Sequence, residues 1–194
     1  METKPRKLIE NRILLYHLTS VRNLESILKH GLCSRATLQK FNNSSFYDIA
    51  NQEIIARRME LGIANYIPFH FFFKNPFDGA VLKTYPNEEF CYITITRKFA
   101  QTNNFRILTQ HPLSKDTTLY NDFQEGFNKI QWDEMNKRDY NDEKCKSICM
   151  AEALSPHRID CKDFFMVVLG RENLELQKLL KSKSIKTNIA SHWF

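Results

Sequence analysis

The sequence predicts an α+β fold built on one mixed or mostly antiparallel sheet, and three observations predict it. Runs of β-formers, Phe90 to Thr96 above all, with residues 66–73 and 164–169, read as strands. Segments with apolar residues at three-four spacing read as amphipathic helices. The two kinds of segment do not alternate regularly enough for a doubly wound parallel sheet. A chain of 194 residues suits a single domain, residues 1–194, long enough to bury a core without disulfide staples.

The first apolar run, residues 13–16, reads as a strand, and Ser20 is a good N-cap for the helix that follows. Val21, Leu24, Ile27 and Leu28 give that helix one apolar face, and Gly31 falls where a left-handed cap belongs. His17 and Thr19 then lie at the exit of the strand. Either the histidine is bonded to nearby backbone, or the pair holds a polar ligand. Residues 32–48 are polar and weakly periodic, a long loop with room for one helical turn. Long loops of this kind in compact domains tend to be functional or disordered. Asp48 is expected to cap a helix over 49–61, closed by Arg57 and Arg58 on a solvated face that complements the helix dipole.

In residues 66–73, Ile67, Phe69, Phe71 and Phe73 share one face and Pro68, His70 and Phe72 the other. Pro68 marks an edge or a strand start, and residues 74–79 read as a turn. Phe90 to Thr96 is a strand and residues 107–108 another short one. Residues 109–147 read as a mostly helical insertion, with a stripe of Leu119, Phe123, Phe127 and Ile130 and a second short helix from Asp133. Residues 147–154 read equally as strand or helix. A strand over 164–169 ended by Gly170, an amphipathic helix over 172–181 and a last strand over 185–189 complete the chain.

Composition excludes several classes. The hydrophobic fraction is 42% and the aromatic fraction 12%, with 15 Phe, as in a folded globular protein. The longest apolar run, 67–73, is far too short to span a bilayer. The N-terminus carries no apolar signal region. The expectation is a cytoplasmic protein without a membrane partner. Cys33, Cys91, Cys145, Cys149 and Cys161 are scattered and form no Cys-x-x-Cys pair, which favours reduced thiols over a metal site. The net charge of +6 suits a polyanionic partner without proving one.

The five glycines are isolated, so there is no Gly-x-Gly-x-x-Gly fingerprint and no phosphate-cradling loop. Neither Gly-x-Ser-x-Gly nor His-Glu-x-x-His occurs. Glu152 stands out as the lone charge in Ile-Cys-Met-Ala-Glu-Ala-Leu, residues 148–154. A carboxylate inside an apolar segment is costly unless paired or used. A solvent-facing or arginine-paired residue and a functional one are equally compatible with the pattern. His70, alone among phenylalanines, reads first as a half-buried structural histidine, and nothing local singles out His111.

Tyr16-His17-Leu18-Thr19 with Asn23-Leu24 and Gly31-Leu32, residues 54–58 ending in Arg57-Arg58, Tyr66-Ile67-Pro68-Phe69, Met150-Ala151-Glu152 and the terminal Trp193-Phe194 occur in this order along nearly the whole chain. Together they resemble the DarT family of bacterial DNA ADP-ribosyltransferase toxins. The resemblance implies an ADP-ribosyltransferase fold, a split mixed sheet with peripheral helices. It implies transfer of ADP-ribose from NAD⁺ to a base in single-stranded DNA, thymine before guanine, with a macrodomain antitoxin of the DarG kind as partner and no metal. Glu152 and Arg58 match the catalytic glutamate and arginine. His17, Thr19 and Asn23 match cofactor-side positions, and Arg57 and His70 lie in the matched motifs beside them. The 32–48 loop matches the segment that covers NAD⁺ and the 109–147 insertion the substrate-recognition region. Lys74, Phe77 and His111 fall on the DNA side. Where the family commonly has Pro-Phe-Tyr-Phe, then arginine and methionine, this chain has Pro68-Phe69-His70-Phe71, Lys74 and Phe77.

The chemistry suits these residues. Cleavage of the nicotinamide–ribose bond creates an oxocarbenium-like ribose, as in glycoside hydrolysis, and one fixed carboxylate in a dry site stabilises that charge. Thymine must lose its ring N–H proton to attack, and a glutamate can accept it. An arginine can hold pyrophosphate or polarise the base carbonyl, and a single-stranded target needs no unpairing. The same fold acting on RNA or protein, or a non-catalytic nucleic-acid-binding domain, are the alternatives.

Overall fold

The computed structural model describes residues 7–40, 46–49 and 51–194. Among the described residues eight strands form one sheet: β1 (Leu14–Ser20), β2 (Ile67–His70), β3 (Phe90–Thr96), β4 (Arg106–Leu108), β5 (Leu119–Tyr120), β6 (Glu152–Ser155), β7 (Met166–Leu169) and β8 (Thr187–Ile189), in the order β5-β4-β6-β2-β1-β3-β7-β8. Each neighbouring pair is antiparallel except β7 and β8, which run parallel. The mixed sheet expected from the sequence is present.

β3 is apolar on both faces because both are covered. Ile93 and Ile95 pack with Leu15, Phe69 and Val167 on one side, and Tyr92 packs with Tyr16, Leu18 and Val168 on the other. β1 pairs with β3 from Leu14↔Thr96 to Ser20↔Phe90, but with β2 only at Tyr16↔His70. Beyond that pair β1 and β2 part, and the sheet opens between them.

The helices are α1 (Leu24–His30), α2 (Arg35–Lys40), α3 (Gln52–Glu60), α4 (Pro76–Thr84), α5 (Arg97–Thr102), α6 (Phe123–Lys129), α7 (Trp132–Lys137), α8 (Glu143–Ile148) and α9 (Leu174–Ser182). Several boundaries differ from the sequence reading for physical reasons. β1 runs on to Ser20, so His17 and Thr19 sit within the strand and not at its exit. Ser20 caps a short 3₁₀ turn, Val21–Asn23, before α1 begins. Gly31 has φ +81° but an extended ψ of 165°, so it is a turn into the Leu32–Ile159 bridge and not a left-handed helical cap. A Cβ there would lie 2.9 Å from the Ile159 carbonyl oxygen. Part of the 32–48 loop is α2, and its residues 41–45 lie outside the described residues. The helix expected from 49 begins at Gln52 with Asn51 as its cap, not Asp48; residue 50 also lies outside the described residues.

β2 ends at His70 because the next carbonyls turn to side-chain donors. The Phe71 oxygen accepts from Arg97 and the Phe72 oxygen from Asn75, and Lys74 takes φ +58°. The turn expected at 74–79 is instead the start of α4. Asn75 is its N-cap, Pro76 opens it, and Asp78 completes a reciprocal capping box. Residues 147–154 are both things they resembled: α8 ends at Ile148 and β6 begins at Glu152.

The 109–147 insertion is tied to the body. Arg97 is buried, donates to the Ile9, Glu10 and Phe71 carbonyls, and packs against the rings of Phe71, Phe127 and Trp132. Asn136 on α7 accepts from the Ile9 amide and donates to Glu10. Among the described residues no helix is long and apolar enough to cross a membrane.

Candidate active site

The site lies where β1 and β2 part. His17 spans the gap, its Nδ1 donating to the Pro68 carbonyl at 2.8 Å. Residues opposite one another in a pleated pair share a face, so the register Tyr16↔His70↔Glu152 puts His70 and Glu152 on one face of the sheet. His17 and Thr19 alternate to the other face. The opening admits both sets to one cavity of about 300 Å³, whose walls include His17, Thr19, Asn23, Arg58, His70 and Glu152.

Arg58 belongs to the last turn of α3, yet it does not face solvent as the sequence suggested. Its NH1 lies 2.5 Å from Glu152 Oε2 and its NH2 donates to the Tyr66 carbonyl at 3.4 Å. The two side chains are only 12% and 7% exposed. Of the two readings left open for Glu152, the arginine-paired one describes its contact, and the side chain also lines the cavity. A buried pair of this kind contributes little net stability, but it fixes a charged carboxylate at the cavity wall. Within the described residues no group of three metal-ligating side chains occurs.

Asn23 is fully engaged. Its Nδ2 donates to Thr19 Oγ1 and to the Tyr47 carbonyl, both at 3.1 Å, and its Oδ1 accepts from the Tyr47 amide at 2.8 Å. The Asn23 amide thus holds the backbone of a segment on the cavity rim. Arg22 lies over the Tyr47 ring and is ion-paired to Glu88. Arg35 pairs with Asp48 at 2.6 Å across the same rim.

Burial holds both strand histidines neutral. It pushes His17 down to about 4, more than offsetting the pull of the Pro68 carbonyl. Burial lowers His70 as well, against the opposing attraction of Glu152. His70 Nδ1 lies 3.3 Å from the Ala151 carbonyl oxygen, and its ring packs 5.4 Å from that of Phe77, which also lines the cavity.

Three expected residues lie outside this cavity. Arg57 pairs with Glu60 and reaches the Pro112 carbonyl, away from the cavity lining. Lys74 has its amide on the Tyr92 hydroxyl and its carbonyl on Tyr140. His111 lines a neighbouring groove with Lys144, Lys146 and Met150, its pKa lowered by burial against the attraction of Glu152. The sequence reading missed Tyr47 and the Arg35–Asp48 pair as rim residues. No local signal marks them, because their partners are 24 and 13 residues away.

A family model described as DarT, ssDNA thymidine ADP-ribosyltransferase, matches residues 16–194. A structure of Thermus sp. 2.9 DarT in complex with ADP-ribosylated ssDNA aligns with TM-score 0.77 and 16% identity over 94% of this chain and 96% of that one. The same protein in complex with NAD⁺ aligns with TM-score 0.75 and 15% identity over 95% and 98%. Thermosipho africanus DarTG in complex with ADP-ribose aligns with TM-score 0.73 and 17% identity over 94% of this chain but 51% of that one. No curated protein matches the chain in sequence. At these identities the structural likenesses carry the fold.

Proposed function

Because the chain belongs to the DarT family of single-stranded-DNA thymidine ADP-ribosyltransferases, we propose that the cavity between β1 and β2 binds NAD⁺ and transfers its ADP-ribose to a thymine. The observation that carries the assignment of residues is the Arg58–Glu152 pair at the wall shared with His17. His17 and Thr19 hold the nicotinamide end. Asn23 supports the rim over it, and His70 lines the wall beside Glu152. Arg57 has no place in this reading of the cofactor site.

As the glycosidic bond breaks, nicotinamide leaves with its electron pair and the ribose gains oxocarbenium character. The Glu152 carboxylate, ion-paired to the Arg58 guanidinium and largely buried, faces that charge. The thymine N3–H bond then breaks, its proton passes to Glu152, and the N3 pair bonds to the anomeric carbon. The groove of His111, Lys144 and Lys146, which also carries Asp116 and Glu143, lies beside this wall and offers its two lysines to the phosphates of a single strand.

In the cell the chain acts as a cytoplasmic toxin countered by a macrodomain antitoxin of the DarG kind. Family membership and the likeness to half of the Thermosipho DarTG chain support this. The test is mass spectrometry of nucleosides after incubation with NAD⁺ and mixed-sequence single-stranded DNA. A thymidine carrying one ADP-ribosyl group is expected. Adducts on protein or RNA alone, with DNA unmodified, overturn the reading.

A further inference from the structure

We propose that Gln110 reads the base next to the target, its side-chain Nε2 donating a hydrogen bond to a keto oxygen of that neighbour. The inference rests on the transferase reading above and deepens it, from the base that is modified to the sequence around it. β4 ends at Leu108, whose partner on β6 is Glu152. Gln110 lies just beyond that strand end, and Met150 just before Glu152. Both line the groove that carries Lys144 and Lys146. A base seated in this groove therefore belongs to a nucleotide beside the one whose base reaches Glu152.

Gln110 is only 6% exposed, yet half of its amide is unused. Its Oε1 accepts from Ser114 Oγ at 3.0 Å and from Ser147 Oγ at 3.1 Å. Ser114 Oγ itself accepts from the Asp116 amide, so its own proton goes to Gln110. Two hydroxyl donors on one atom fix that atom as the oxygen. Nε2 then has no hydrogen-bond partner among the described residues and is not sealed in the interior. The donor is also held still. The His111 amide donates to the Ser147 carbonyl at 2.9 Å, and Thr117 Oγ1 donates to the Gln110 carbonyl at 3.1 Å. A donor fixed in advance costs little ordering when a ligand arrives.

The rest of the groove fits a nucleobase. Leu113 and Met150 offer apolar surface to its face. Asp116 and Glu143 line the groove as well, so a neutral base suits its centre better than a phosphate. An amide nitrogen only donates. It pairs with O4 of thymine or O6 of guanine, and meets an amino group at the same place in cytosine or adenine. Donor against donor leaves both groups unpaired, a penalty that gives polar sites their selectivity.

The test uses single-stranded oligonucleotides with one thymine, guanine or adenine placed on its 5′ or its 3′ side, and the other positions randomised among the remaining bases. Thymidine adducts are measured by mass spectrometry, and the guanine-to-adenine ratio is read within each protein, so a general loss of activity does not move it. Wild type is expected to favour guanine on one side by about tenfold or more. Gln110→Met, of similar length without a donor, should bring that ratio to within about twofold. Gln110→Glu keeps an oxygen for Ser114 and Ser147 but presents an acceptor, and should favour adenine. If Gln110→Met does not fold, Gln110→Glu decides alone. A wild-type ratio near one on both sides overturns the inference and leaves the transferase reading standing. So does a ratio unchanged in the folded variants, which makes Gln110 a tie between the loop and α8. Wild-type protein that modifies no thymine in any context removes the reading beneath the inference, and the inference with it.

Discussion

Arg58 and Glu152 stand 94 residues apart in the chain and meet at 2.5 Å inside one cavity. The pair brings a charged carboxylate to a largely apolar wall, where its field acts on whatever the cavity holds.

Glu152→Gln keeps the shape and one acceptor for Arg58 but removes the charge. Transfer of ADP-ribose should fall by at least about a hundredfold with the fold intact. Arg58→Ala leaves Glu152 buried and unpaired, so it should lose activity and also about 3–5 kcal/mol of stability by denaturant unfolding. An Arg58→Ala protein as stable as wild type shows that the pair is not buried in solution.

Asn23 acts through Tyr47. Its amide takes both backbone groups of that residue, so Asn23→Ala frees the rim without touching the carboxylate. The expectation is a KM for NAD⁺ raised about tenfold with kcat within about twofold. Steady-state kinetics at saturating DNA give both numbers, and a fall in kcat alone contradicts the positioning role.

Asp78 gives a pH signature. Burial pushes its carboxyl up to about 7, against hydrogen bonds from Tyr92 and Asn75 that pull it down. Among the described residues its Oδ1 has no hydrogen-bond partner. The folded protein therefore holds this proton where the unfolded chain has released it, between the usual carboxylate value of 3.8 and about 7. The contribution of Asp78 is complete below the lower value and lost as pH rises through the upper one. Asp78→Asn, which keeps the capping acceptor, should gain stability relative to wild type as pH rises across that window. Urea midpoints of the two proteins at pH 4 and pH 8 check it; a constant difference contradicts it.

Gly126 lets α6 lie on the β4–β5 hairpin. A Cβ there would stand 2.4 Å from Ile107 Cβ and 2.8 Å from Tyr120 Cβ. Gly126→Ala should cost about 1–3 kcal/mol through displacement of the insertion. It should reduce transfer to DNA more than nicotinamide release, which a paired assay resolves.

What the sequence made legible follows from how local each cause is. Phe90 to Thr96 is a strand by every residue, because both faces of β3 are covered and only β-formers remain. Glu152 announced itself as one charge in an oily run. The α4 start was readable as well, since Asn75-Pro76 with Asp78 is an N-cap, a helix-opening proline and a reciprocal acid; the turn-forming residues masked it. The end of β2 at His70 was not readable, because it depends on Arg97 and Asn75 taking the next carbonyls. Nor was the role of Asn23, whose partner Tyr47 lies beyond the next helix. Arg57 and Arg58 look alike in the chain; only the helix rotation sends one to Glu60 and the other to Glu152.

The most direct measurement is a crystal structure of the protein with an unreactive NAD⁺ analogue. The account predicts the nicotinamide ribose between His17 and Glu152, its anomeric carbon facing the carboxylate that Arg58 holds. A ribose bound elsewhere, with Glu152 turned away from it, contradicts the account.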